Sequence, residues 1–277
     1  MRGPRQLPAP FSRGSCGIST IMANNKLKIA IIDLTDCEGC QVELVSMKEK
    51  LLALADNVEI LNWRLGQEKK QNGPYDLALV EGSPITKEEI EILKNVREQS
   101  ALLVALGTCA TLGGIPAMLD KKKRKFWYKK IYGPKYKPSG IDAIPLSAIV
   151  KVDYFIHGCP VRASELERVL GEILAGRLPK LPDYSICFEC KAQGNQCRLI
   201  NKKPCLGPIT QGGCQAICIS GGEMCWGCFG PRRQHNKAAL LKILAKISKP
   251  EEIEKYFSMF WHRLENNHKN NKKQKNG

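Results

Sequence analysis

Apolar residues run almost unbroken over 27–33 (LKIAIID), and comparable runs return at 58–62 (VEILN), 76–80 (DLALV), 101–106 (ALLVAL) and 153–156 (DYFI). Short runs without alternation are those of strands covered on both faces, as parallel strands are. Between them the period changes. From Gln41 to Leu54 the residues Val42, Leu44, Val45, Leu51, Leu52 and Leu54 keep a helical spacing, and 162–175 (RASELERVLGEILA) predicts an amphipathic helix. Thr86 with Glu89 three positions on is a capping box, opening a helix over 87–98. Strands alternating with helices predict an open parallel sheet of the α/β class.

Beyond Pro179–Pro182 the periodicity fades into a cysteine-rich segment, and a helix pair over about 236–247 and 251–264 follows. The expected organisation is a leader over 1–25, an α/β domain over 26–180, a cysteine-rich domain over 181–232 and a helical tail over 233–265. A polar end over 266–277 is expected to be disordered. The architecture read here is a flavodoxin-like open sheet followed by that cysteine-rich domain and C-terminal helices. At 277 residues the chain can bury a real core. No run of 18 apolar residues appears, so no membrane span is expected. The first 21 residues lack the apolar stretch of a secretory signal and any adjacent arginine pair; they read as a disordered leader or an over-extended start ahead of Met22.

Thirteen cysteines change the picture. Their odd number, without an export signal, points to reduced, metal-binding thiols in a cytoplasmic protein. Eight of them crowd between Cys187 and Cys228, in the order Cys187, Cys190, Cys197, Cys205, Cys214, Cys218, Cys225 and Cys228. A C-x2-C pair stands at each end. Eight thiolates make two sets of four, and four sulfurs hold either a structural zinc or an iron–sulfur cluster. Spacing alone leaves the grouping of Cys197, Cys205, Cys214 and Cys218 open.

A second constellation follows from the strands. Cys37 and Cys40 come after the first, Cys109 after the fourth and Cys159 after the fifth. Loops at the carboxyl ends of parallel strands converge on a crevice, so these four thiols form a third four-sulfur site. The neighbouring Gly39, Gly107 and Gly158 let backbone N–H groups approach a cluster's sulfur closely. Each cysteine taken alone fits a small buried hydrophobe equally well. Cys16, in the leader, is left out of the ligand sets.

The net charge is +16, unevenly placed: residues 121–137 (KKKRKFWYKKIYGPKYK) hold nine Lys or Arg and no acid. Interleaved Phe126, Trp127, Tyr128, Tyr132 and Tyr136 suit single-stranded nucleic acid. The expectation favoured is a solvated insertion loop, or a docking surface for an acidic partner subunit. No G-x-G-x-x-G or Walker pattern is present, and none of His157, His235, His262 and His268 has a neighbourhood suited to acid–base catalysis. No catalytic residue is assigned.

Cys37-Glu38-Gly39-Cys40, Glu81-Gly82-Ser83, Gly107-Thr108-Cys109 with Gly113-Gly114, and Gly158-Cys159-Pro160 resemble the small, electron-transfer subunit of nickel–iron hydrogenases. That module is shared with the 20 kDa subunit of respiratory complex I. The resemblance covers about 26–176 and extends over 183–231, closing on Cys-Trp-Gly-Cys-Phe-Gly-Pro at 225–231. It is nearest to cytosolic hydrogenases of the sulfhydrogenase, heterodisulfide-linked and deazaflavin-reducing type. Departures narrow it. Cys37 and Cys40 are separated where the complex I subunit has adjacent cysteines, and Cys187 stands where membrane-bound uptake hydrogenases carry a histidine. Cys218 resembles an added fourth ligand to the medial cluster.

The resemblance implies three [4Fe–4S] clusters: proximal on Cys37, Cys40, Cys109 and Cys159; medial on Cys214, Cys218, Cys225 and Cys228; distal on Cys187, Cys190, Cys197 and Cys205. It also implies a large-subunit partner holding the nickel–iron site and flavin or iron–sulfur partners of diaphorase type, with no nucleic acid bound. Two alternatives stand beside it: a zinc-stabilised nucleic-acid-binding module, and a complex I-like oxidoreductase subunit.

Overall fold

The computed structural model describes residues 26–119, 121–137 and 140–274; the expected leader lies outside them. Five strands, β1 (Leu27–Asp33), β2 (Val58–Trp63), β3 (Tyr75–Glu81), β4 (Ser100–Leu106) and β5 (Tyr154–Ile156), form one sheet in the order β2-β1-β3-β4-β5. Every pairing is parallel. This is the expected flavodoxin-like α/β order, in which the chain reverses direction across the sheet between β1 and β3.

The runs are apolar throughout because both faces are covered. Ile29, Ile31, Leu77, Leu79, Leu102 and Val104 face one side with Leu44, Leu166, Val169 and Ile173 from helices α1 (Gly39–Val45) and α6 (Ala163–Leu174). The alternate residues Ala30, Ile32, Ala78, Val80, Leu103 and Ala105 face the other, with Leu93 and Val96 of α3 (Lys87–Gln99). Where 41–54 suggested one helix, the chain makes two, α1 and α2 (Glu49–Ala55). Lys48 between them has φ 50°, which interrupts helical geometry, and the Ser46 hydroxyl turns back to Val42 O at 2.8 Å.

The capping box at α3 is formed. Thr86 Oγ1 accepts from Glu89 N at 3.1 Å, and Glu89 Oε2 accepts from Thr86 N at 2.9 Å. Thr35 Oγ1 also donates to Glu89 Oε1 at 2.7 Å, tying the loop after β1 to this helix start. Thr86→Ala is expected to cost about 1 kcal/mol, read as a lower urea midpoint with an unchanged slope.

A six-residue helix, α4 (Gly107–Leu112), springs directly from β4. The basic segment read as a loop is instead helical over Lys121–Tyr132 (α5). No helix breaker intervenes before Gly133-Pro134, and lysine is a good helix former. The cysteine-rich segment carries α7 (Ile186–Ala192) and α8 (Ile217–Ser220). It packs through Leu206 and Ile209 on α9 (Lys237–Leu244) and α10 (Pro250–Gln274), using Leu240, Leu244, Phe257, Phe260 and Trp261. Helix α10 runs past the expected end near 264 and into the 266–277 stretch read as disordered. No Pro or Gly follows Pro250 until Gly277, so nothing in the sequence stops it.

Candidate metal centre

Glu81, at the end of β3, organises the first group of thiols. Its carboxylate is buried and accepts from Cys40 N at 3.0 Å and Gln41 N at 3.1 Å, so an acid caps the start of α1 and fixes the Cys40 backbone. Gly82 next to it has φ 91°, and a Cβ there would lie 2.9 Å from both Asp36 Oδ2 and the Leu34 carbonyl carbon. Ser83 then exchanges hydrogen bonds with Ile144, donating to its O at 2.7 Å and accepting from its N at 2.8 Å. The Glu81-Gly82-Ser83 triplet is thus a helix cap, a close approach and a tether in succession.

Across this crevice the structure brings Cys37, Cys40, Cys109 and Cys159 together. Burial pushes the Cys109 thiol up to about 12, and the neighbouring Cys159 and Cys37 add to the shift. Cys40 is raised by burial, then by Glu81, with Cys109 contributing. Burial raises Cys159, followed by Cys37 and Glu81. Asp36 is pushed up to about 7 by burial and by the Glu81 charge. Thiols crowded in this way lose their protons when a cation joins them, as metal binding does outright.

The eight later cysteines fall on either side of a shared boundary. Cys214, Cys218, Cys225 and Cys228 line a cavity of about 150 Å³ beneath Trp226, Phe229 and Phe260. A single water needs only about 10–15 Å³, so the space is large for its position among thiols. Burial, then Cys214 and Cys218, push Cys228 up to about 12. On the far side, Cys187 is pushed up to about 11 by burial and by Cys205, with Cys190 and Cys197 contributing. The boundary is Cys225: its N–H donates to Cys205 Sγ at 3.4 Å, while its thiol is raised by burial and by both Cys205 and Cys228. No three Cys, His, Asp or Glu side chains among the described residues converge on a single-ion position.

Contacts also join the first group to the second. Cys159 lines the same cavity as Cys228 and adds to the raising of its thiol. Thr108 Oγ1 donates to Cys228 O at 2.8 Å and accepts from Gly158 N at 3.3 Å. Trp261 of α10 donates from Nε1 to Gly227 O at 2.7 Å, clasping the Cys225–Cys228 turn.

A family model described as NADH ubiquinone oxidoreductase, 20 Kd subunit, matches residues 37–173. The delta subunit of sulfhydrogenase 2 from Pyrococcus furiosus is 37% identical over 236 residues, covering 84% of this chain and 99% of the relative. The chain belongs to the hydrogenase small-subunit family. Another relative, from the F420-non-reducing hydrogenase of Methanococcus voltae, is 29% identical, covering 74% of this chain and 83% of its own. A solved structure of the H2-activated [NiFeSe] hydrogenase of Dm. baculatum shares the fold, with TM-score 0.53 and 17% identity over 76% of this chain and 96% of that one.

Membership makes this chain a subunit of an oxidoreductase, and it disfavours the zinc-stabilised nucleic-acid module. Small subunits of hydrogenases carry iron–sulfur clusters, and the many thiols here suit that role. No helix among the described residues is long and apolar enough to cross a membrane. Sequence reasoning placed Glu81 in a motif without a task and passed over Asp36. The signal for Glu81 was an acid ending an apolar strand, where a helix N-terminus arrives from the neighbouring loop. His157, to which sequence reasoning assigned no acid–base role, is held at 2.9 Å from Thr111 Oγ1 and stacks on Phe155. Burial pushes it down to about 4, which keeps it neutral.

Proposed function

We propose that this chain is the electron-relay subunit of a nickel–iron hydrogenase, holding three [4Fe–4S] clusters between a large subunit and a flavin or iron–sulfur partner. Cys37, Cys40, Cys109 and Cys159 would hold the proximal one, and Cys214, Cys218, Cys225 and Cys228 the medial one. Cys187, Cys190, Cys197 and Cys205 would hold the distal one. The observation that carries this reading is the order of contact among the thiols. The first group meets the second through Cys159 and Cys228, and the second meets the third through Cys225 and Cys205.

The residues fit such groups. Each set offers four sulfurs, the donor type that iron–sulfur clusters take, and four of them stand around a cavity rather than a point. Bound there, the clusters supply one-electron redox chemistry. The chain's own part is to space them, to exclude water and to aim N–H groups at sulfur. Trp226, Phe229 and Phe260 wall the middle site. The Cys225 backbone N–H points at Cys205 Sγ, and Gly207 packs close beside that sulfur. The nickel–iron site, where hydrogen is split or formed, belongs to the large subunit in this reading, and the compartment is the cytoplasm.

Anaerobic preparation with iron and acid-labile sulfide analysis tests the proposal. About twelve of each per chain are expected for three four-iron clusters. Zinc recovered with near-zero sulfide would overturn it.

A further inference from the structure

The relay does not use helix α5 (Lys121–Tyr132). Residues 121–137 hold nine Lys or Arg and no acid, in a chain whose net charge is +16. Lys125, Lys129, Lys130, Lys135 and Lys137 are exposed. So are large apolar side chains: Phe126 is 60% exposed, Ile131 64% and Tyr132 60%. Trp127 with Ile131, Tyr128 with Tyr132 and Lys125 with Lys129 stand four apart, and around the helix the lysines alternate with the rings, Lys125 beside Tyr132 and Lys130 between Phe126 and Trp127. A cluster of lysines interleaved with exposed rings suits an anionic membrane surface, the lysines meeting its charge and the rings sitting at headgroup level.

Three observations separate this occupant from others. First, the cations are lysines. The segment's only arginine, Arg124, is spent inside the protein on Ile141 O and Asp142 Oδ1, both at 2.7 Å. Protein interfaces are depleted in lysine and use arginine forks for specific pairing, whereas lysine point charges suit a diffuse anionic surface. Second, the rings are engaged with one another. Tyr128, Tyr132 and Tyr136 have centroids 4.8–5.9 Å apart, and Lys130 Nζ lies 5.2 Å over Trp127. Rings packed this way do not form the open platforms on which single-stranded bases stack. Third, the helix is anchored at its root. Asp142, which pairs with Arg124, also lies 3.5 Å from Arg263 of α10, and Arg263 Nε donates to Ala143 O at 2.8 Å. Lysines at 269, 272, 273 and 275 follow Arg263 in the sequence.

We infer that α5 and the turn after it dock this protein on anionic lipid, a peripheral attachment. The inference is independent of the cluster assignment. The test is cosedimentation of the full chain, alone and in its assembled hydrogenase, with phosphatidylcholine vesicles with and without about one-third phosphatidylserine. Binding to the anionic vesicles only is expected, falling at least about tenfold as salt rises past 0.1 M and the Debye length shrinks below ~10 Å.

In the Lys125→Glu/Lys129→Glu/Lys130→Glu variant, affinity should drop about fivefold for each lysine lost, or roughly a hundredfold in all. A blue shift of tryptophan emission on binding should vanish in Trp127→Phe, a readout independent of charge. The inference fails if both vesicle types bind alike or neither binds, or if charge reversal changes nothing. It also fails if single-stranded DNA or an acidic protein is bound under salt conditions where anionic vesicles are not.

Discussion

Cys37→Ser and Cys187→Ser should behave differently, although each removes one sulfur. Cys37 belongs to the group at the strand ends of the sheet, with Cys40, Cys109 and Cys159 as neighbours. Cys187 neighbours Cys205, Cys190 and Cys197, the group that the proposed order reaches last. Serine offers a harder oxygen donor where soft thiolate is wanted, and the loss should be at least the 10–100-fold seen for disturbing a metal ligand's supporting partners. With Cys37→Ser, electrons should no longer leave the nickel–iron site, so reduction of every acceptor falls together. With Cys187→Ser, hydrogen–deuterium exchange at that site should persist while reduction of the physiological acceptor slows. Equal loss of exchange in both variants would remove the basis for the proposed order.

The second large effect is expected at Gly107. Its φ is 82°, and a Cβ added there would lie 2.4 Å from Cys40 Sγ. The left-handed backbone alone costs a side chain about 1–2 kcal/mol. Moving the buried Cys40 sulfur adds more, so the total is several kcal/mol against a stability of about 5–15 kcal/mol. Gly222 supplies the control: its φ is 95°, and nothing lies within 4 Å of its Cβ position. Gly222→Ala should show the backbone cost alone and keep its iron. Gly107→Ala should unfold at markedly lower denaturant and lose about a third of its iron, one of the three proposed clusters. Equal behaviour of the two would mean that crowding against Cys40 is not why glycine stands at 107.

The sheet was legible because a strand buried on both faces leaves an unbroken apolar run, and β1 matches its run residue for residue. Helix α3 was legible from its cap. The break at Ser46–Lys48 was not, since a positive φ at a lysine leaves no trace in periodicity. Helix α4 is shorter than two turns and begins directly after the last strand residue, so no period could develop. Charge concealed α5: lysine-rich composition reads as solvated chain, yet lysine propagates a helix once neighbours hold its root. At the site, strand-end logic named the first four thiols, because loop positions follow from topology. The other eight sit in a segment whose fold depends on α9, α10 and the thiols themselves, so spacing left their middle members open. The contacts of Cys225 with both later groups show the physical reason.

The four thiols at the strand ends are gathered from positions 37 to 159, and β5, which delivers the last of them, stands at the end of the sheet order, paired with β4. During synthesis Cys37 and Cys40 therefore emerge long before their partners exist. On the proposed assignment, delivery of iron and sulfide to that crevice would have to wait until the ribosome has passed Cys159.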